Sequence, residues 1–431
     1  MTDTGRAVAP LIEVERRVTE RAAALDIDLT RPEAEAALER LIADELARWD
    51  DEHRRGLRPH ALAEPAVVAE RALRNLSGYG PLGPLLADDD VWEIMVNSPD
   101  AIFVKRHRGP SGYHHEVFHD DAHVLRTLTK ILDDSSSSHR SLDASEGLQD
   151  AQLDDGARIH IVHGDLSRGG HVMVNIRRFN GVAFRSLDEL VANGTLDRPA
   201  ADFLTACVRA RLSIVFAGAP GSGKTTLLSC CAAELDPTLR VVIAEEVFEA
   251  DVPLANVASM QTRPARAERP AIDLRRLVSG FLRMAPDVAI VGEVRDREAL
   301  PLLLTLSSGV TGYTTIHAGS APQALTRLRF VAQLSDAARD LPLAALNTLV
   351  SDAVDLVVHS ARRDGPPVVT SITAVEELAG GHDAARFTTT EVFHRGADHR
   401  LRWTGQIPVR ATARLADAGV DVRSLLGEPV R

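Results

Sequence analysis

The feature that most constrains the fold is a glycine-rich stretch between an apolar strand and a helix. Residues 218–225 read Gly-Ala-Pro-Gly-Ser-Gly-Lys-Thr and satisfy the pattern G-x-x-x-x-G-K-[ST]. In this pattern the glycines let backbone N–H groups converge on phosphate oxygens, and the helix N-terminus adds its dipole. We therefore predict a phosphate loop formed by Gly218, Ala219, Pro220, Gly221, Ser222, Gly223, Lys224, Thr225 and Thr226.

Strand-like and helical segments alternate around this loop. Short apolar strands are predicted at residues 212–217, 240–244, 288–291 and 312–316, with helices between them. This alternation predicts an α/β fold whose parallel sheet is covered by helices on both faces. The longest stretch without acidic or basic residues, 299–326, is interrupted by glycine, proline and polar residues. We interpret it as helix, turn and buried strand instead of a membrane span.

A carboxylate and a histidine follow two of the predicted strands. Glu293 comes after the strand 288–291, and His317 comes directly after the strand 312–316. Both are expected at the carboxyl edge of the sheet, where ligands bind in this architecture. Asp287 precedes its strand and is expected at the opposite edge. We predict that Glu293 polarises water or faces a metal, and that His317 hydrogen-bonds a phosphate or that acid.

A third strand, 240–244, runs into three glutamates, Glu245, Glu246 and Glu249. Acids clustered in this way repel one another unless a cation neutralises them. The spacing leaves open which of them faces the ligand. In the loop pattern Lys224 neutralises phosphate charge and the Thr225 hydroxyl binds Mg²⁺, so the predicted metal ligands are Thr225, Glu245 and Glu293.

The rest of the chain divides by its pattern. Residues 1–77 are predicted as a helical segment, 78–185 as a small mixed α/β domain, 186–199 as a linker, 200–378 as the domain of the phosphate loop, and 379–431 as an extension of uncertain structure. The role of the helical segment is open. A docking arm, an autoinhibitory helix or a subunit contact would each produce the same amphipathic pattern.

Composition excludes several classes of protein. Acidic residues outnumber basic ones, 61 to 49, which argues against a surface built to bind nucleic acid. The three cysteines have no metal-ligand spacing and indicate a reducing compartment. The first 18 residues lack the apolar core of a signal peptide, so we expect a cytoplasmic protein.

Four blocks of sequence, 218–225, 245–249, 292–295 and 314–318, occur in the order typical of one superfamily. They resemble the Walker A loop, Asp box, Walker B and His box of the type II/type IV secretion ATPases, and are most similar to the CpaF/TadA branch, the tight-adherence (Flp) pilus assembly ATPases. Upstream segments match as well, and the resemblance covers about residues 78–375.

The resemblance implies a RecA-like ATPase core that uses ATP and Mg²⁺. It implies that Glu293 is the catalytic glutamate, that His317 senses the γ-phosphate and that Glu249 is the Asp-box glutamate. Arg158, Arg177 and Arg178 fall where family members use arginines to reach bound phosphate, also from a neighbouring subunit.

The implied assembly is a homo-oligomer, a hexameric ring at the cytoplasmic face of the inner (plasma) membrane. It is expected to act on integral membrane platform proteins of a pilus or secretion apparatus, as a motor for pilus assembly or protein secretion of the Tad/Flp type, with no direct nucleic-acid partner.

The sequence departs from the family pattern in three places. Glu246 occupies a position that usually carries Asp, Pro366 and Pro367 stand where an arginine is more frequent, and the paired C-x-x-C motifs of the type II branch are missing. The alternatives are a nucleotide-binding regulator without turnover and a P-loop kinase. DNA translocation is disfavoured by the acidic balance. Glu293 and His317 favour the ATPase.

Overall fold

The structure is a computed structural model that describes residues 10–27, 34–106, 109–135, 142–178, 184–263, 270–362, 365–378 and 386–427. The chain forms two compact units, Met1–Asn180 and Gly181–Arg431. None of the helices in these ranges is long and apolar enough to cross a lipid bilayer. The predicted uncharged stretch instead supplies a helix, Ala299–Ser307, and a fully buried strand, Thr311–Ile316.

The first unit begins with three helices, α1 (Pro10–Ala24), α2 (Glu35–Arg54) and α3 (Pro65–Ser77). Their apolar faces share a small core that includes Val18 and Leu38. The buried carboxylate of Glu45 lies among three arginines, so its charge is compensated inside this bundle. These contacts are to Arg21 at 2.8 Å, Arg48 at 3.3 Å and Arg17 at 3.9 Å.

An antiparallel sheet follows the helices within the first unit. The described strands lie in the order β3-β2-β1-β6-β5-β4, and alternate residues of each central strand pack against α5. One face of the sheet is therefore apolar and buried. The elements are α4 (Gly83–Ala87), β1 (Val91–Ser98), β2 (Ala101–Arg106), β3 (Gly112–Tyr113), α5 (Asp121–Asp134), β4 (Leu148–Gln152), β5 (Arg158–Val162) and β6 (Met173–Arg177).

The second unit is built on a larger sheet. Its described strands lie in the order β15-β14-β13-β12-β7-β11-β10-β8-β9, and those from β12 to β9 run parallel. The elements are α6 (Leu187–Ala192), α7 (Arg198–Arg209), β7 (Ile214–Gly218), α8 (Lys224–Ala232), β8 (Val241–Glu245), β9 (Val257–Gln261), α9 (Leu274–Val278), β10 (Val288–Val291), α10 (Ala299–Ser307), β11 (Thr311–Ile316), α11 (Ala321–Gln333), α12 (Leu343–Ala353), β12 (Leu356–Ala361), β13 (Val368–Val375), β14 (Thr389–Arg395), β15 (Leu401–Trp403), α13 (Val409–Asp417) and α14 (Val422–Leu426).

Helices cover both faces of this sheet. Along β7, Ile214 and Phe216 pack into the core that α7, α8, α13 and α14 share, while Val215 and Ala217 pack into the core beneath α9 to α12. Such strands are buried on both sides, which explains their continuous apolar sequence. The predicted α/β, RecA-like fold class with a preceding mixed domain and N-terminal helices is confirmed.

The described part of the region after residue 378 is ordered and packed. Strands β13, β14 and β15 extend the parallel sheet with antiparallel pairs, and Phe393 packs against Phe203 of α7 with ring centroids 5.5 Å apart. The Glu376 carboxylate accepts the N–H groups of Val409 and Arg410 at the start of α13. The region thus completes the core of the second unit.

Two helices of the second unit are shorter than the helices that the sequence pattern predicts at residues 295–307 and 274–284. Helix α10 starts at Ala299, because the buried Glu298 carboxylate accepts the N–H groups of Arg295 and Asp296 and holds them in a turn. Helix α9 ends at Val278, before Gly280, and a short 3₁₀ turn follows. The sequence pattern also predicts a strand at residues 113–118, but strand β3 of the first unit is Gly112–Tyr113 and shares one residue, Tyr113, with it.

Candidate active site

The phosphate loop, residues 218–225, connects the carboxyl end of β7 to the start of α8. Gly221 and Gly223 have φ angles of +72° and +81°, a region that residues with a Cβ atom rarely adopt. The glycines of the motif therefore permit the turn by which the loop delivers Lys224 to the first position of α8. Helix α8 begins directly at the loop, as the sequence predicts.

Lys224 lies inside the turn that precedes it. Its side chain is buried, with the residue 7% exposed, and Nζ donates a hydrogen bond to the carbonyl oxygen of Ala219 at 3.1 Å. The same Nζ lies 3.2 Å from Nδ1 of His317. The loop and the end of β11 thus bring two predicted site residues into direct contact.

His317 connects the phosphate loop to the predicted catalytic acid. Its Nε2 lies 2.9 Å from Oε1 of Glu293. A carboxylate only accepts hydrogen bonds, so Nε2 carries the proton and donates it. Nδ1 lies 3.3 Å from the carbonyl oxygen of Gly218 as well as close to Lys224. The imidazole of His317, at the end of β11, therefore contacts residues at the ends of the two neighbouring parallel strands, β7 and β10.

The carboxylate of Glu293 is held ionised. Burial by itself would raise its pKa, but the hydrogen bond from His317 and the charges of His317, Arg295 and Lys224 outweigh burial and lower the pKa to about 2. Its side chain keeps 24% of its exposure, so solvent still reaches it. The arrangement can orient a water molecule by accepting a hydrogen bond from it.

Arg295 lies between the Walker B glutamate and the Asp box. One of its terminal nitrogens is 2.5 Å from Oε2 of Glu246 and 3.9 Å from Oε2 of Glu293. The glutamate at position 246, a departure from the family pattern, therefore reaches the arginine with its full side chain. Sequence reasoning did not assign Arg295 a role, although it stands two residues from Glu293.

The other glutamates of the Asp box differ in their contacts. Oε1 of Glu245 accepts the N–H groups of Glu249 and Ala250, at 3.1 and 2.9 Å, which fixes the turn after β8. Glu249 then lies with Oε2 3.4 Å from the Thr225 hydroxyl. A Cβ atom at Gly292 would lie 2.8 Å from Cγ of Glu245, so glycine is required where this side chain passes.

The donors beside the loop fit the predicted magnesium ion. Mg²⁺ prefers hard oxygen ligands and usually shares them with phosphates and water. The Thr225 hydroxyl and the Glu249 carboxylate supply such oxygens next to each other, with Glu245 directly behind. Glu293 is instead engaged with His317. Of the three predicted ligands, Thr225 is therefore the best placed, because its hydroxyl oxygen lies beside a second oxygen ligand, the Glu249 carboxylate.

The predicted arginines lie in the first unit and differ from one another. Arg158 on β5 and Arg177 on β6 are paired directly across the two strands, so their side chains share one face of the sheet. Arg178 is used differently. Its guanidinium donates to the carbonyl oxygens of Leu85, Asp88 and Val91 and so supports the fold of its own unit.

Two residues that sequence reasoning missed lie against the loop. Ser360 on β12 contacts Ser222, with the two hydroxyl oxygens 3.2 Å apart. Pro367, which the sequence marks as a departure from the family, would lie 3.2 Å from a Cβ atom at Gly223. Both follow Lys224 by more than 130 positions, so no local spacing could indicate them.

Comparison with known proteins identifies the family. The profile of the type II/IV secretion system protein family matches residues 75–373, more than half of the chain. The chain belongs to this family. The match covers nearly the same range as the resemblance seen in the sequence and confirms it at the level of the type II/IV secretion ATPases. With its phosphate loop, acids and histidine, the chain is an ATPase of this family.

Relatives of this family occur in several bacteria. A putative conjugal transfer protein of Mycobacterium tuberculosis is 30% identical over 330 residues, which are 74% of this chain and 91% of the relative. The type IV secretion system protein PtlH of Bordetella pertussis is 30% identical over 309 residues, 66% of this chain and 89% of PtlH. Among solved structures, the VirB11 ATPase of Brucella suis is 25% identical and has a TM-score of 0.35, with coverage of 73% of this chain and 95% of VirB11.

Proposed function

We propose that the protein is an ATP-hydrolysing motor that powers pilus assembly or protein secretion at the cytoplasmic membrane, in a system of the Tad/Flp type. The observation that carries this proposal is the contact chain from Lys224 through His317 to Glu293. A phosphate loop alone serves many enzymes. An acid held ionised by a histidine that also touches the loop lysine is suited to hydrolysis that depends on bound phosphate.

In this mechanism each residue has a defined task. Lys224 neutralises the β- and γ-phosphate charge, and Glu293 accepts a hydrogen bond from the attacking water and aligns it with the γ-phosphorus. A carboxylate with a pKa of about 2 is a weak base, so it orients the water instead of removing its proton in the ground state. His317 contacts both Lys224 and Glu293, so it can couple the binding of the γ-phosphate at Lys224 to the position of Glu293.

Magnesium is the expected cofactor. Thr225 and Glu249, with Glu245 behind them, are the residues that would hold it. When bound, Mg²⁺ neutralises the charge that develops on the phosphate oxygens. The ion pair with Glu246 positions the Arg295 guanidinium, one nitrogen of which lies 3.9 Å from Glu293.

We further propose that a neighbouring subunit completes the site. Arg158 and Arg177 lie opposite each other on neighbouring strands, so two guanidinium groups share one face of the sheet. A guanidinium pair of this kind is suited to an anionic group such as phosphate. Arginine supplied in trans implies a head-to-tail interface that closes into a ring, and we propose a hexamer.

The proposed place of work is the cytoplasmic face of the inner membrane, with integral membrane platform proteins as partners. The similarity to PtlH, a protein named for type IV secretion, supports a role in moving cargo across the envelope. The similarity to a putative conjugal transfer protein leaves a conjugation-like apparatus as the second candidate. The net charge of −12 disfavours direct contact with DNA in either case.

Mg-ATP turnover of the purified protein, measured against its concentration with the mass determined in the same samples, tests the proposal. We expect the rate per subunit to rise as rings form. Mixing Lys224→Ala subunits with Arg158→Ala subunits should then restore part of the activity that each lacks alone. A monomer with the full rate, or a wild type that does not bind ATP, would contradict the motor.

A further inference from the structure

A hairpin far from the nucleotide motif in sequence lies against the phosphate loop. It consists of the antiparallel strands β12 and β13, whose register shifts between His359 and Ser360. Strand β12 runs parallel to β7, and the register places Ser360 beside Gly218. The end of this strand therefore reaches the point where β7 turns into the loop.

We propose that Ser360 is a positioning residue for the phosphate loop, and that through it the β12–β13 hairpin sets the affinity for nucleotide. This inference rests on the proposed ATPase function of the loop. It concerns a residue outside all four sequence blocks, one that contacts Ser222 in the loop and Ala217 directly before it.

The hydroxyl group of Ser360 contacts one residue of the loop, Ser222, and the last strand residue before it, Ala217. Its Oγ lies 3.4 Å from the carbonyl oxygen of Ala217 and 3.2 Å from Oγ of Ser222. A serine hydroxyl donates one proton and accepts others, so Ser360 donates to Ala217 and accepts from Ser222. Ser360 and Ser222 are 1% and 0% exposed, and water does not replace either contact. Removal of the Ser360 hydroxyl would leave buried polar groups without their partner.

The backbone of the hairpin also confines the loop. A Cβ atom at Gly218 would lie 2.3 Å from the carbonyl oxygen of Ser360 and 2.3 Å from Oγ of Ser222. At the other end of the loop, Pro367 would lie 3.2 Å from a Cβ atom at Gly223. Two glycines of the motif thus face the hairpin as well as needing their unusual backbone angles. The loop has little room to move away from Ser360.

The hairpin itself is held in place, as a positioning element must be. The N–H group of Val369 donates to the carbonyl oxygen of Thr195 at 2.8 Å. Arg395 of β14 donates to the carbonyl oxygens of Val369 and Thr195, at 2.6 and 2.9 Å. Both Val369 and Thr195 are buried. The position of β13, and with it Pro367, is therefore fixed from two sides.

The test compares Ser360→Ala with a matched control, Ser351→Ala. Ser351 on α12 is equally buried, and its hydroxyl donates to the carbonyl oxygen of Glu376 at 3.1 Å, away from the loop. Both variants remove one buried hydroxyl group: Ser360→Ala loses the contacts with Ala217 and Ser222, and Ser351→Ala loses the contact with Glu376. Affinity for ADP with Mg²⁺ and steady-state ATP hydrolysis are measured for both.

We expect Ser360→Ala to weaken ADP binding about three- to tenfold, the effect of losing the hydrogen bond to Ser222 of the loop, and Ser351→Ala to bind as the wild type does. For Ser360→Ala, KM should rise while kcat at saturating ATP stays within about twofold, because the loop geometry affects bound substrate and transition state alike. Adding Ser222→Ala to Ser360→Ala should cost less than the sum of the two single effects.

A second readout does not depend on nucleotide. Amide hydrogen exchange of the peptide covering residues 218–223 should be faster in nucleotide-free Ser360→Ala and unchanged in Ser351→Ala. Wild-type affinity and wild-type exchange in Ser360→Ala would overturn the positioning role and leave the ATPase intact. A wild type that binds no ADP would instead refute the proposed function, while the exchange result would still decide the role of Ser360.

Discussion

In the large sheet, acidic side chains lie both at the carboxyl ends of the parallel strands, the carboxyl edge, and at their amino ends, the opposite edge. The acids at these two edges contact different kinds of groups. At the carboxyl edge, Glu293 contacts His317 and lies near Arg295. At the opposite edge, the 3% exposed Asp355 receives Arg410 at 3.0 Å and Arg414 at 2.6 Å, and accepts the N–H group of Ser213 at 2.7 Å.

Strand β10 shows the contrast within a single element. Asp287 precedes it and accepts the N–H group of Arg240 at 2.8 Å, a contact that holds neighbouring chain segments together. Glu293 follows the same strand and contacts the histidine of the site. The direction of the strand, and not the residue type, places Glu293 at the candidate site and Asp287 away from it, because parallel strands present their carboxyl ends to the ligand.

The largest effect on stability is expected at the opposite edge. Asp355→Ala should lower the free energy of unfolding by about 3 kcal/mol, since it leaves two arginines and a buried N–H group without their acceptor. This value is the lower end for a buried pair, because both arginines reach solvent. Urea unfolding measures the change. At temperatures where the variant is folded, its affinity for ADP should equal that of the wild type, and a parallel loss of affinity would break the contrast between the edges.

A smaller free-energy change is expected at the loop. Lys224→Ala should weaken ATP binding about 10- to 100-fold, the effect of removing a hydrogen-bond donor that carries a full charge. Stability should change less than in Asp355→Ala, because the contacts of Lys224 include a carbonyl oxygen and an imidazole, whereas Asp355 neutralises two arginines. Titration with a fluorescent ATP analogue measures the affinity. Lys130→Ala, which removes a lysine paired with Asp134 in the first unit, serves as the control and should bind normally.

The smallest effect is a shift in pH dependence. In the wild type, Glu293 stays ionised as the pH falls through its ordinary pKa of 4.5, because His317 and nearby cations outweigh burial. His317→Ala removes the main opposing contact, burial then dominates, and the pKa of Glu293 rises. The residual ATPase activity of the variant should therefore fall at higher pH than that of the wild type when solutions are acidified. If the activities of the variant and the wild type fell at the same pH on acidification, His317 would not control the ionisation of Glu293.

Much of the second unit follows from its sequence. Strands β7, β8 and β10 are mainly apolar, and β11 is buried along its whole length, because helices cover both faces of the sheet. The order of these strands along the chain places the motif residues at one edge. Strands β4 and β9 are not predicted by the same reasoning. Leu-Gln-Asp-Ala-Gln and Val-Ala-Ser-Met-Gln lie at the ends of their sheets and show no apolar run.

The contacts within the candidate site are predicted less completely from the sequence. The histidine, the acid and the lysine are predicted, since each has a fixed place relative to a strand or the loop. The use of Glu246 to hold Arg295 depends on side-chain reach across two strands. Ser360 and Pro367 depend on the tertiary pairing of β12 with β7, which no local pattern encodes. The prediction that Arg158 and Arg177 reach phosphate stays a prediction.

One comparison of variants tests the central claim most directly. Glu293→Gln and Asp287→Asn change the acids at the two ends of β10 by the same substitution of an amide for a carboxylate. With saturating Mg-ATP, phosphate release is measured in a rapid-quench experiment alongside ATP affinity. We expect Glu293→Gln to bind ATP and to hydrolyse it about 100- to 10,000-fold more slowly, and Asp287→Asn to retain the wild-type rate. Equal rates for Glu293→Gln and the wild type would contradict the mechanism.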